Sequence, residues 1–319
     1  MASQDLEVDE YASDSAYTGN DDSIYTSIAS SIRSYRHEHG RTYHAFKDGA
    51  YFMPNDEKEN DRLDMQHAMF VKTIDGKLQL APIGEVHNVL DIGTGTGIWA
   101  VDFADQHPSA QVTGTDLSPI QPQFVPLNLT FLVDDAEDEW VFDNKFDFIH
   151  ARMMCGSFAD WPKFIQRTFD WLEPGGYVEI QDIGMPFKSD DDTLNPDTAL
   201  WKWSDMLIRS GEVIGRPLNH CGHLTKWMED AGFVDVVEVV KKWPQNPWAK
   251  DPEMKELGLW NMANMLEGIH GLSMRPFVGA LGMTPDEVEV FLTDVRKDVK
   301  NPRIHSYWVM YYVYGRRPA

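Results

Sequence analysis

Asp91-Ile92-Gly93-Thr94-Gly95-Thr96-Gly97 is the stretch of this chain most suited to chemistry, because an apolar run, Val89-Leu90-Asp91-Ile92, passes straight into three alternating glycines. Glycine lets backbone turn tightly and approach a ligand closely, and ligands of open α/β sheets bind at the carboxyl ends of the strands. A dinucleotide fingerprint, G-x-G-x-x-G, counted from Gly93 and Gly95 would put its third glycine at 98, which is Ile98. Here it comes one residue early, at Gly97. Two later candidate strands are also followed by acids. Gln111 to Thr115 is followed by Asp116 and Leu117, and Phe131 to Val133 by Asp134, Asp135 and Ala136. A carboxylate at the position of Asp116 suits both hydroxyls of a ribose. His150, ending a further apolar run, is the best placed candidate base, with a structural histidine as the alternative.

Strand and helix patterns alternate around these residues, which implies a mostly parallel sheet built from right-handed crossovers. Strands are expected at Val86 to Ile92, Gln111 to Thr115, Leu129 to Val133, Phe146 to Ala151 and Gly176 to Gln181. Asn55 or Asp56 reads as the cap of a helix reaching about Ile74, and a second helix is expected from about Asp160 to Leu172. Phe233 to Val240 and His305 to Tyr314 read as two late strands forming an antiparallel pair at one sheet edge, which makes seven. The class is therefore α/β, a doubly wound, Rossmann-like, mostly parallel seven-stranded sheet with helical cap insertions. The expected divisions are a disordered acidic tail over 1–34, a helical cap segment over 35–83, a ligand-binding core over 84–183, and 184–319 completing the core. The last division carries insertions at about 184–219 and 243–301.

Composition narrows the function classes. The chain has 319 residues, 51 acidic against 28 basic side chains and a formal charge of −23. Such a surface repels phosphate backbones and anionic lipids, so neither nucleic acid nor membrane is an expected partner. The first residues are acidic, with no basic region leading into an apolar run, and no apolar stretch approaches the roughly 20 residues that span a bilayer. Two cysteines, Cys155 and Cys221, are too few for a disulfide framework, which suits a cytoplasmic or nuclear compartment. Asn219-His220-Cys221-Gly222-His223 packs metal-ligand types closely but without the spread of a zinc site, so no metal is expected and the run reads as the start of a helix.

The Asp-x-Gly-x-Gly-x-Gly loop resembles the first motif of class I S-adenosylmethionine methyltransferases. Phe146-Asp147-Phe148-Ile149-His150-Ala151-Arg152 and Leu172-Glu173-Pro174-Gly175-Gly176-Tyr177 are similar to that family's fourth strand and the turn before its fifth. The likeness extends to a narrower group. Arg41-x-Tyr43-His44, Tyr51-x-x-Pro54-Asn55-Asp56-Glu57, Arg62-Leu63-Asp64-x-x-His67, Gly76-Lys77-Leu78 and Tyr314-Gly315-Arg316-Arg317-Pro318 resemble the fungal LaeA-like methyltransferases over roughly residues 34 to 319. The resemblance implies S-adenosylmethionine as cofactor, held by Asp91, Gly93, Gly95 and Gly97. It implies Asp116 at the ribose, Leu117 as a further cofactor contact, Asp135 at the adenine amino group, and the Ala136 N–H at the ring. Tyr51 and Arg62 would then lie over the cofactor, toward its methionine carboxylate.

The implied reaction is methyl transfer to O, N or S of a small aromatic or polyketide-like secondary metabolite. The alternative is a nuclear regulator of secondary metabolism that binds the cofactor and acts through protein partners. Trp201, Trp203, Met206, Trp243, Trp248, Trp260, Met262 and Met265 load the insertions with aromatic and thioether side chains. They are expected to line an acceptor cavity, with ordinary packing of the added helices as the other explanation.

Overall fold

The computed structural model describes residues 35–47 and 52–319. The expected tail over 1–34 and the candidate site residue Tyr51 lie outside them. A short hairpin, β1 (Arg36–Glu38) and β2 (Arg41–Tyr43), leads to helix α1 (Glu57–Thr73). Asp56 caps α1, accepting from the Glu59 N–H at 3.1 Å, and so satisfies a donor that the first helical turn leaves free.

Alternation then follows as the sequence implies: β3 (Asn88–Ile92), α2 (Ile98–Gln106), β4 (Gln111–Asp116), β5 (Leu129–Val133), β6 (Phe146–Arg152), α3 (Trp161–Trp171) and β7 (Leu172–Lys188). Beyond β7 come α4 (Ala199–Ile214), α5 (Leu224–Ala231), β8 (Val234–Pro244), α6 (Pro252–Arg275), α7 (Pro285–Val299) and β9 (Tyr307–Arg316). The seven-stranded sheet has the order β5-β4-β3-β6-β7-β9-β8. Strands β3 to β7 pair in parallel, whereas β9 runs antiparallel to both β7 and β8, so the expected antiparallel pair does close one edge. Strand order reverses between β3 and β6, which opens a crevice at their carboxyl ends.

Strand β7 exceeds the expected Gly176 to Gln181 in both directions. Its continuation through Gly184 and Pro186 reads as loop in sequence, but β9 supplies a ladder partner out to Lys188 opposite Tyr307. Gly184 makes this possible, since a Cβ there would collide with the Tyr311 ring.

The insertions are packed, not open. Helices α4, α6 and α7 share one apolar cluster with α1 and the far end of β7, centred on Trp203, Trp243, Met265 and Phe277. Trp203 donates to Ser273 Oγ at 2.8 Å, which joins α4 to α6, and stacks on Phe187 at 5.7 Å between ring centres. Below the crevice, Trp99 and Phe103 of α2 pack on one face of the sheet, and Trp161, Phe164 and Ile165 of α3 pack on the other.

The amino-terminal segment is tied to this body by charges. Arg41 binds Asp56 through two nitrogens, and Arg275 of α6 binds Glu38 at 2.8 and 3.0 Å while lying 3.7 Å over the Tyr43 ring. Asn55 reaches Ser118 Oγ at 3.3 Å, above the tip of β4. Among the described residues no helix is long and apolar enough to cross a membrane.

Candidate functional site

Asp91 lies on β3 at the switch point, and its carboxylate organises the loop that follows. One oxygen accepts the Thr94 hydroxyl at 2.5 Å and the other meets His150 Nδ1 at 2.7 Å, with Asp91 itself 2% exposed. Gly93 and Gly97 both adopt left-handed backbone, with φ of 65° and 82°. A Cβ at Gly97 would strike the Phe131 ring, and one at Gly93 the Met154 thioether, so no larger residue fits either position without displacing its neighbour. Gly93 and Gly95 line the cleft above the loop, while Gly97 makes the turn into α2.

Asp116 sits at the tip of β4, facing the same cleft. Its oxygens accept the Gly95 and Ser118 backbone N–H groups at 2.8 and 2.9 Å, and burial pushes its carboxyl up to about 6 in spite of those bonds. Leu117 adjoins it in the cleft wall. Asp135 follows β5, 9% exposed, with one oxygen on the Glu137 N–H at 2.8 Å and the other on Lys47 at 2.8 Å. The Ala136 carbonyl is fixed by Trp140 Nε1 at 3.0 Å and by Arg167. Arg216, after α4, grips the same turn by binding Glu137 at 2.8 Å and the Ser157 carbonyl.

One cleft therefore joins the glycine loop, Asp116, Leu117, Asp135 and Ala136, and continues along Met53, Pro54, Leu63, Gln66, Met153, Met154 and Phe158. It leaves about 1180 Å³ free of protein atoms, its open mouth included. The residues present fit a nucleoside carrying a polar tail. Two carboxylates stand at successive strand tips, two glycines bring backbone close, and the buried Gln66 Nε2 has no hydrogen-bond partner.

Most of the chain matches known proteins in the same sense. The Methyltransferase domain family covers residues 65–239. Methyltransferase pytC of Aspergillus terreus is 40% identical over 299 residues, which are 93% of this chain and 92% of that protein. The chain belongs to the methyltransferase domain family. Among its other relatives in Emericella nidulans, Probable methyltransferase tdiE is 36% identical over 306 residues, 94% of each chain. Protein-methionine methyltransferase laeA is 36% identical over 288, covering 89% of this chain and 77% of that one.

Two expectations need correction in this methyltransferase. Arg62 does not reach the cleft: it is 4% exposed, its guanidinium bonded to Glu59 at 3.1 and 2.5 Å and to Asn264 of α6 at 2.6 Å. A buried guanidinium takes the carboxylate that its own helix offers three residues away. None of the eight insertion Trp and Met residues lines the cleft. Trp203, Trp243 and Met265 are core, Trp201, Met206, Trp260 and Met262 pack against it, and Trp248 donates to the Ser306 carbonyl at 2.9 Å. His150 has no exposed surface, lies flat on Trp99 at 3.7 Å, and is pushed toward its neutral form by burial. The ring floors the cleft and fixes Asp91, which favours the structural alternative for it.

His220 also proves structural. Its Nε2 meets Asp182 at 3.0 Å, both side chains are fully buried, and Cys221 to His223 form a short turn that opens α5. Among the described residues, no group of three or more His, Cys, Asp or Glu could hold a metal. Sequence reasoning passed over Arg152, Gln66, Lys47 and Arg216. Arg152 stood inside a quoted motif, but only the fold shows that it lines the cleft.

Proposed function

We propose that this methyltransferase binds S-adenosylmethionine through Asp116, Asp135, Ala136 and the Asp91–Gly95 loop, and transfers its methyl group to O, N or S of a small molecule. The observation that carries this reading is the continuity of the cleft from the Asp116 and Asp135 carboxylates to an apolar wall of Met53, Pro54, Met153, Met154 and Phe158. When bound, the cofactor supplies an electrophilic methyl group on a sulfonium. The protein's part is alignment and exclusion of water. In-line displacement gains most of its rate from holding the reacting atoms in register, and needs a base only when the acceptor atom carries a proton. The Thr94 and His150 contacts hold Asp91, the Gly95 and Ser118 amides hold Asp116, and Asn55 and Leu63 bring the amino-terminal segment over the loop. Relationship to pytC and tdiE, both named as methyltransferases, over more than nine-tenths of the chain supports methyl transfer as the activity.

A second reading has its own support. Relationship to laeA, named for protein methionine, favours a protein acceptor. Incubation with methyl-tritiated S-adenosylmethionine, a fungal metabolite extract and a fungal protein extract separates the two. Label in the organic phase is the expected outcome, and label confined to precipitated protein selects the second reading. Absence of transfer together with no calorimetric binding of S-adenosylhomocysteine refutes both.

A further inference from the structure

Arg152, the last residue of β6, is half-buried and lines the cleft. Four other arginines of low exposure have taken an acid, Arg41 with Asp56, Arg62 with Glu59, Arg216 with Glu137 and Arg275 with Glu38, while Arg167 and Arg317 donate to backbone carbonyls. Among the described residues, no carboxylate stands in salt-bridge contact with Arg152. Its one hydrogen bond, from Nη2, goes to His67 Nδ1 at 3.1 Å, and the guanidinium lies over the Phe70 ring at 5.0 Å.

This arrangement holds the group in place without neutralising it. His67 Nε2 meets Asp102 at 2.9 Å, so the ring donates there and offers Nδ1 as the acceptor for Arg152. Burial and the nearby Arg152 charge hold His67 down to about 4, which keeps the imidazole neutral. Burial likewise lowers Arg152 to about 10, against the opposing pull of Asp91, Asp102 and Asp64. The Asp91 carboxylate is occupied by Thr94 and His150.

Gln66, beside His67 on α1, adds a second donor. It is 3% exposed, lines the same cleft, and its Nε2 has no partner. Orphaned buried amides are uncommon and point to a missing acceptor. A guanidinium fork with free N–H groups beside an amide N–H matches the two oxygens of a carboxylate.

We infer that Arg152 and Gln66 form a carboxylate-binding site in the cleft. The inference rests on the methyl-donor reading for one of its two sources, the amino-acid carboxylate of the cofactor. The other source is a carboxylate on the acceptor. It also relieves Arg62 of the role that family resemblance implied for it.

Titration calorimetry with S-adenosylhomocysteine and with 5′-methylthioadenosine, which lacks the amino-acid tail, tests the site in wild type, Arg152→Gln and Gln66→Leu. Arg152→Gln is expected to weaken S-adenosylhomocysteine binding about tenfold to a hundredfold, and Gln66→Leu less, with methylthioadenosine affinity unchanged in both. Unchanged S-adenosylhomocysteine affinity transfers the test to the acceptor source. In protein saturated with S-adenosylhomocysteine, benzoate must then raise the melting temperature of wild type and not of Arg152→Gln. Failure of that arm overturns the site. Equal losses of both nucleosides in both variants also overturn it, because the carboxylate is then not what is sensed. If wild type binds neither nucleoside, the methyl-donor reading has failed and the benzoate arm, run on the free protein, decides alone.

Discussion

Asp116→Ala separates ligand binding from folding, because the two effects have different sizes at this position. In the free protein the carboxylate accepts two backbone N–H bonds, yet burial raises its pKa from 3.8 to about 6. That shift is about 3 kcal/mol of unfavourable desolvation above pH 6, at 1.36 kcal/mol per unit. The raised value means that the carboxyl's contribution to stability is present below about 4 and is lost as the pH rises through about 6. Removing the group at pH 7.5 therefore sheds about 3 kcal/mol of penalty while freeing two amides, each costing about 1 to 3 kcal/mol if left unpaired. The two changes nearly cancel, and the melting temperature should move by only a few degrees.

Binding has no such compensation. Two ribose hydroxyls donating to a charged acceptor contribute about 1.5 to 3 kcal/mol each, so the variant should bind S-adenosylhomocysteine about a hundredfold or more weakly. The hydroxyls favour the ionised carboxylate, so wild-type affinity should fall by up to about tenfold per pH unit below 6, and Asp116→Ala should lose that dependence. Calorimetry at pH 5, 6 and 7.5 beside a thermal melt reads all of this. An affinity within threefold of wild type, or a pH profile unaltered by the substitution, refutes the reasoning.

Trp203→Ala should cost about 3 to 5 kcal/mol by denaturant unfolding while leaving S-adenosylhomocysteine affinity unchanged, since Trp203 joins α4 to α6 and does not border the cleft; loss of affinity at wild-type stability would contradict this. Glu179 is fully buried under the Leu80 and Ala81 amides, and burial pushes it from 4.5 to about 7. Its contribution to stability is thus lost as the pH rises through about 7, and Glu179→Gln should flatten the decline in melting temperature between pH 5 and 8; parallel curves for the two proteins would count against it. Asp56→Ala removes the cap of α1 and the Arg41 partner, and should lower unfolding free energy by about 1 to 2 kcal/mol. No change in the denaturation midpoint would show that the cap carries no weight.

Sheet and loop were legible because their signals are local. Three glycines at fixed spacing, acids directly after apolar runs and a capping Asp56 each declare themselves within a few residues. What was not legible depends on distant partners. Glu179 and Gln181 alternate with Val178 and Ile180 as on a half-exposed strand, but the segment at Leu78 to Ala81 covers them and both faces are buried. Arg62 and Arg152 look alike as isolated arginines near motifs. Only the fold gives Glu59 and Asn264 to the first and, among the described residues, leaves the second without an acid in contact. The tryptophans of the insertions were ambiguous for the same reason, since an aromatic suits a pocket wall and a helix interface equally well.

The position of β9 between β7 and β8 bears on how the chain is made. On the ribosome, residues 307–316 emerge after β7 and β8, so those two strands exist for some time as unpaired edges with no strand between them. Val237 and Val240 of β8 are exposed apolar side chains even after assembly. Until β9 slots in, these edges are templates for pairing with other chains. A nascent chain stalled or clipped before Tyr307 would therefore be an aggregation hazard, not a partly working protein.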